Sequence, residues 1–214
     1  MRVGCCRCGF DVPPFVSAAR SLYASTVIAA VRQHRATAED LLALPDDRAA
    51  EVIGGELVEK SAPSYEHGDA QSSLAELLKP PFQRGRGGPG GWWIATEVEI
   101  ELETHEVYRP DLVGWRRERV PVRPHGRAVR ERPDWVSEVL SPSNAERDLG
   151  KKLFAYHRAG IPHYWIVDPE HETLTVYGWS ADGYVVILTA GRRETVRAPP
   201  FTDVEIAIGE LFGA

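Results

Sequence analysis

Two acids in this chain stand where apolar residues would be expected. Asp111 lies in "YRPDLVGW" and Glu138 in "PDWVSEVL". Read as extended segments whose side chains alternate, Asp111 shares its side with Val113 and Trp115, and Glu138 with Val136 and Leu140. A buried ionised carboxylate without a partner costs several kcal/mol, so each acid calls for a cation. Two carboxylates converging on one point suit a hard divalent ion such as Mg²⁺ (or Mn²⁺), held by Asp111 and Glu138.

The segment after Glu138 offers a second kind of partner. Ser143-Asn144-Ala145-Glu146 fits a capping box, so a helix is expected to start there. Gly160 and Pro162 stop it after about Ala159. At about 100° per residue, Leu149, Leu153 and Tyr156 form its inward stripe. Lys152 falls at the margin of that stripe, Lys151 faces solvent, and Asp148 stands one turn before Lys152, where it can pair with it.

The elements that must position these groups follow from periodicity and turn residues. Thr37 with Asp40 marks a short helix start. "EVIGGELVEK" reads as a hairpin turning at Gly54-Gly55, and "SYEHGDAQSSLAELLKPPF" as a helix ended by Pro80-Pro81. "WWIATEVEIEL" alternates at Ile94, Thr96, Val98, Ile100 and Leu102 and predicts one strand. "EVYRPDLVGW" predicts a second, with an edge or bulge at Pro110, and "PDWVSEVL" a third. "HYWIVDP" follows the second helix as a strand, and "TLTVYGW" and "YVVILTA" form a hairpin through Ser180 to Gly183. Helix, three strands, helix, strand is the order of an α/β or α+β domain with helices flanking a central mixed sheet, here with extra N-terminal and C-terminal hairpins.

Length and composition bound the rest. The chain has 214 residues, 43% hydrophobic and 26% charged, and a net charge of −6. That suits one soluble domain, expected over residues 36–214, after a poorly ordered extension over 1–35. The apolar run from Leu22 to Val31 is too short to span a bilayer, so no membrane role and a cytoplasmic location are expected. Cys5, Cys6 and Cys8 are the only cysteines, too few and too close for a disulfide framework or a zinc site. Between Arg116 and Arg132 seven arginines face two glutamates. This segment is either a solvated loop or an arm for phosphate.

"RPDLVGW", "SEVLSPSNAERDLGKKLFAYHRAGIPHYWIVDP" and "GELVE…SYEHG" together resemble the Uma2 (DUF820) family of the PD-(D/E)XK, restriction-endonuclease-like superfamily. The likeness spans roughly Ala36 to Phe212. It implies an αβββαβ core and a metal-dependent endonuclease acting on nucleic acid, with DNA as the expected partner and a homodimer as a possible assembly. It carries the motif acids onto Asp111 and Glu138. The superfamily's lysine should stand two residues after the glutamate, where this chain has Leu140, and the resemblance moves it to Lys152. It also brings in Glu56 and His67. The implied chemistry is phosphodiester hydrolysis: the metal polarises a phosphoryl oxygen and acidifies a bound water, and the lysine stabilises developing negative charge. Two other readings share these residues. One is a nuclease-fold module without catalysis that binds nucleic acid or organises an assembly. The other is a hydrolase of some other phosphoester.

Overall fold

The chain divides into two units, Met1–Gln33 and His34–Ala214. The computed structural model describes residue 1 and residues 34–213 apart from 46 and 143. The fold below is that of the second unit. The expectations for Cys5, Cys6, Cys8, the run Leu22 to Val31 and the capping role of Ser143 lie outside the described residues.

The unit opens with α1 (Ala38–Leu42), where the Asp40 carboxylate accepts a hydrogen bond from the Thr37 backbone N–H at 2.8 Å. Next comes the hairpin of β1 (Ala50–Ile53) and β2 (Glu56–Glu59). Its turn residues Gly54 and Gly55 both have positive φ, 63° and 85°, as a tight two-residue turn requires. Helix α2 (Tyr65–Leu78) is capped by Ser64, whose hydroxyl accepts from the His67 N–H. The α-helix ends before Pro80-Pro81, as predicted. The prolines sit in a π-helical turn, Lys79–Gln83, that carries the chain on to bury Phe82.

The predicted long strand does not exist as one piece. It breaks into β3 (Trp92–Thr96) and β4 (Ile100–Glu103), and the next predicted strand breaks into β5 (Glu106–Tyr108) and β6 (Leu112–Arg116). The first break is at Glu97, which has φ +55°. That left-handed conformation costs a non-glycine residue roughly 1–2 kcal/mol. It turns the chain out of one sheet and into another. Alternation persists on both sides of the break because both halves are half-buried, so periodicity alone does not register it. The second break runs through Arg109, Pro110 and Asp111.

β7 (Trp135–Val139) is followed by α3 (Ala145–Arg147), a π-helical turn (Asp148–Lys152) and α4 (Leu153–Arg158). Then come β8 (His163–Asp168), β9 (Thr173–Ser180) and β10 (Gly183–Gly191), a short pair β11 (Thr195–Val196) and β12 (Ile206–Ala207), and a 3₁₀ turn, Ile208–Phe212. The large sheet has the order β10-β9-β8-β7-β6-β3, and β7-β8 is its parallel pair. The small sheet has the order β2-β1-β5-β4. In chain order, α2, the three strands β3, β6 and β7, the α3–α4 helix and β8 make the expected αβββαβ core. The hairpin β4–β5 is an insertion that belongs to the small sheet.

One face of the large sheet packs Trp135, Val139, Trp165 and Val167 against Leu74 and Leu78 of α2 and against Phe201. The other packs Val113, Trp115, Val136 and Ile166 against Tyr156 of α4 and against Ile53 and Tyr108 of the small sheet. The π-turn Asp148–Lys152 falls at this second layer.

Most of the arginine-rich segment folds back on the protein. Arg116 and Arg117 lie over the rings of Trp92 and Trp93. Arg119 pairs with Asp134, Arg127 with Glu99 and Arg130 with Glu101. The segment is tied to the domain through five of its seven arginines, not held out as an arm.

Candidate active site

Antiparallel register sets the two acids face to face. Leu112 stands opposite Ser137 and Val113 opposite Val136. One further step along the same ladder brings Asp111 opposite Glu138. Asp111 lies just before β6, not within it. Its Oδ2 completes the ladder by accepting the Val139 N–H at 2.7 Å. Both acids are fully buried and both face the α4 side of the sheet. The predicted juxtaposition on one face of the sheet is present, with Asp111 at the entrance to its strand and not inside it.

Lys152 lies deeper than its predicted place at the margin of the helix. Its ammonium is 3.0 Å from Glu138 Oε1, 3.0 Å from Glu51 Oε1 and 3.2 Å from Asp148 Oδ1. The cause is the π-turn Asp148–Lys152. It widens the helix locally and turns both Asp148 and Lys152 inward. The same slip puts Leu149, predicted inside, 47% exposed. Lys151 is exposed, as predicted. Tyr156 donates its hydroxyl to Glu138 Oε1 at 2.6 Å. Glu138 is therefore partnered by a lysine and a tyrosine, not by an arginine of the 116–132 segment.

Around Asp111 a second set gathers. Lys60, at the end of the hairpin, places its ammonium 2.8 Å from Asp111 Oδ1, 3.1 Å from both oxygens of Glu97 and 3.0 Å from the Arg109 carbonyl. His67 Nε2 is 3.4 Å from Asp111 Oδ1, so this buried histidine of the first turn of α2 does reach the acids. Gln71, one helical turn on, donates to Glu97 and to the Asp111 carbonyl. The left-handed Glu97 is thus held by Lys60, Gln71 and Arg109 together.

Glu56 stands apart. It is exposed beside the Gly54-Gly55 turn. The hairpin acid that enters the cluster is Glu51, fully buried, with one oxygen shared between Lys152 and the Arg109 N–H. Glu51, Lys60, Gln71 and Glu97 are absent from the sequence-based set. Only Glu51 carried a signal, the same one as Glu138: an acid in an apolar run, "AEVI".

The electrostatics follow from crowding. Burial alone would raise the Asp111 carboxyl, but its bond to His67 and the charge of Lys60 outweigh that and hold it well below the usual carboxylate range. Burial lifts Glu138 well above its ordinary value. Lys152 opposes that shift, and Asp148 and Asp111 add to it. Asp148 is pushed up to about 6, chiefly by burial and against the pull of Lys152. For Lys152 burial works against the charge, yet Glu138, Glu51 and Asp148 keep the ammonium well above the ordinary lysine value. Four buried carboxylates surround two ammonium groups, and among the described residues Glu138 Oε2, Glu51 Oε2 and Asp148 Oδ2 have no hydrogen-bond donor.

Among the described residues no three His, Cys, Asp or Glu side chains are arranged as a ready-made metal site. The donor chemistry nevertheless fits a hard cation. Lys60 sits among a carboxylate of Asp111, a carboxylate of Glu97 and a backbone carbonyl, an all-oxygen set of the type Mg²⁺ and Ca²⁺ take. Glu138, opposite Asp111, has an oxygen to spare.

The model of the Uma2 family, described as "putative restriction endonuclease", matches residues 38–209. The fold is similar to the crystal structure of a putative nuclease belonging to DUF820 from Anabaena variabilis. The TM-score is 0.60 at 24% identity, over 82% of this chain and 97% of that one. No curated protein matches.

Proposed function

From the premise that this chain belongs to the Uma2 family, we propose that it is a divalent-metal-dependent endonuclease that hydrolyses DNA phosphodiester bonds at the Asp111–Glu138 pair. The observation that carries the reading is the opposition of these two acids across β6 and β7, with a lysine on each. Asp111 and Glu138 would hold Mg²⁺ or Mn²⁺. Bound there, the ion would supply Lewis-acid polarisation of a phosphoryl oxygen and a more acidic water.

The chain's own residues do the rest. Lys152 and Tyr156 fix the Glu138 carboxylate, and the Lys152 charge favours its ionised form. Lys60 and His67 approach Asp111 from the side that opens to solvent, where a scissile phosphate would enter. A fixed ammonium at that place stabilises the charge that builds on the phosphoryl oxygens.

The test combines cleavage and binding. Wild-type protein should nick supercoiled plasmid with Mg²⁺ or Mn²⁺ and not with EDTA, and Asp111→Ala and Glu138→Ala should not nick it. In parallel, Mn²⁺ should raise the wild-type thermal midpoint and leave that of Asp111→Ala unmoved. Cleavage that persists in EDTA, or in Asp111→Ala, would overturn the proposal.

A non-catalytic module remains the second reading. What favours it is the full burial of both acids and the Leu140 at the strand position of the superfamily lysine. It predicts nucleic-acid binding with no cleavage in any metal.

A further inference from the structure

Beside the acids lies a cleft of about 440 Å³ whose walls include Lys60, His67, Gln71, Arg109, Asn144 and Arg147. Lys60 and His67 touch Asp111 from this side, so the cleft opens onto the buried pair. Its cations differ in one respect. Lys60 is engaged by Asp111 and Glu97, and Arg109 by Glu97. Arg147 is half-buried on the wall, and its guanidinium has no ion pair or hydrogen bond among the described residues. Elsewhere in the domain Arg119, Arg127, Arg130 and Arg158 all hold carboxylates. A guanidinium left free in a cleft otherwise built from saturated pairs has a fork of donors to offer, and that fork matches a phosphate.

The cleft also lacks something. No Phe, Tyr or Trp lines it among the described residues. Single-stranded bases are ordinarily held by stacking on such rings. The cleft's acids do not repel a phosphate uniformly, because Glu97 is neutralised by Lys60 and Arg109, leaving Asp47 on the rim as the exposed one. Its volume lies toward the lower end of the roughly 300–1,000 Å³ of small-ligand sites, room for a backbone unit and not for a duplex.

We infer that this cleft is a subsite for the sugar–phosphate backbone of nucleic acid, that Arg147 is its phosphate-binding residue, and that no base is read there. The inference rests on the nuclease reading above and deepens it: recognition next to the cleaved bond is of backbone, independent of sequence.

The experiment measures binding by fluorescence anisotropy in EDTA, where cleavage is silent. The probes are labelled single-stranded oligothymidylate, a mixed-sequence strand of the same length and a fully abasic strand. The wild type should bind all three within about threefold of one another, since phosphate contacts dominate. Arg147→Ala should weaken all three equally, by about tenfold, and lower the salt slope by about 1. Arg147→Lys, which keeps the charge and is a check against misfolding, should recover part of the affinity and the full salt slope. Affinity and salt slope unchanged in Arg147→Ala would overturn the role of Arg147 while leaving plasmid cleavage, and so the nuclease reading, standing. A preference of more than about tenfold for base-bearing strands over the abasic one would overturn backbone recognition. If the wild type binds none of the probes and cuts no plasmid with Mg²⁺, the nuclease reading itself falls, and the subsite with it.

Discussion

Lys152 is the residue on which the buried ion cluster turns. The residue is 1% exposed, and its ammonium answers three carboxylates. Removing one partner of a buried ion pair leaves the other uncompensated, at a cost of about 3–5 kcal/mol. Lys152→Ala should therefore lower the thermal midpoint strongly as well as abolish turnover. Lys151→Ala, on the exposed side, should change stability by less than about 0.5 kcal/mol. Differential scanning calorimetry of the two variants separates these outcomes, and equal midpoints would show that Lys152 is not the hub of the cluster. Asp148 makes a sharper prediction because its carboxyl is raised to about 6. The unfolded chain releases this proton near the ordinary aspartate value and the folded one only near 6. Stability is lost as pH rises between those two values and is not regained above them. The shift corresponds to on the order of 3 kcal/mol. Asp148→Asn keeps a hydrogen-bond acceptor for Lys152 without the charge. The wild type should lose stability relative to this variant as pH climbs from about 4 to about 6 in urea titrations, and parallel curves would refute it.

At the scale of elements, the sheet acids were legible in the sequence and the helix residues only in part. Asp111 and Glu138 declared themselves because a charge inside an apolar run has few bland explanations. Glu51 sends the same signal, but its strand is only four residues long and next to a glycine turn, and the family resemblance pointed to Glu56 instead. Lys60, Gln71 and Glu97 carry polar side chains in polar stretches, and nothing in their spacing shows that the chain brings them to Asp111. Leu149 was misplaced for a different reason: helical phase assumes 100° per residue throughout, and the π-turn Asp148–Lys152 breaks that assumption inside the element. It suggests its own experiment. Deleting Gly150 should restore an ordinary helical turn and bring Asp148 to three residues before Lys152, which shifts both side chains out of their present depth in the cluster. The expected result is a folded protein that has lost plasmid cleavage. Retained activity would mean that the π-turn does not set the site.

At the scale of the whole molecule, the large sheet ends in an unusual edge. β10 is nine residues long, contains no charged residue and no proline, and exposes Val185, Val186 and Ile187 by 55%, 54% and 51%. Natural edges of that length normally carry such guards against strand addition, and here the bulge between Val186 and Leu188 is the one present. The wild type should associate with rising concentration in sedimentation velocity and Val186→Lys should not, with little change in cleavage; a wild type that stays monomeric would dismiss pairing through this edge. The ion cluster has a consequence of its own for how the protein comes into being. Glu51 belongs to the small sheet, Glu138 to the large one, and Lys152 holds both from the helix. On a growing chain Glu51 leaves the ribosome long before Lys152, and until the helix arrives its carboxylate has only the Arg109 N–H and no counter-charge from Lys152. The cluster is complete only once both sheets and the helix between β7 and β8 are in place. A half-made or half-unfolded copy carries the buried acids without their arrangement.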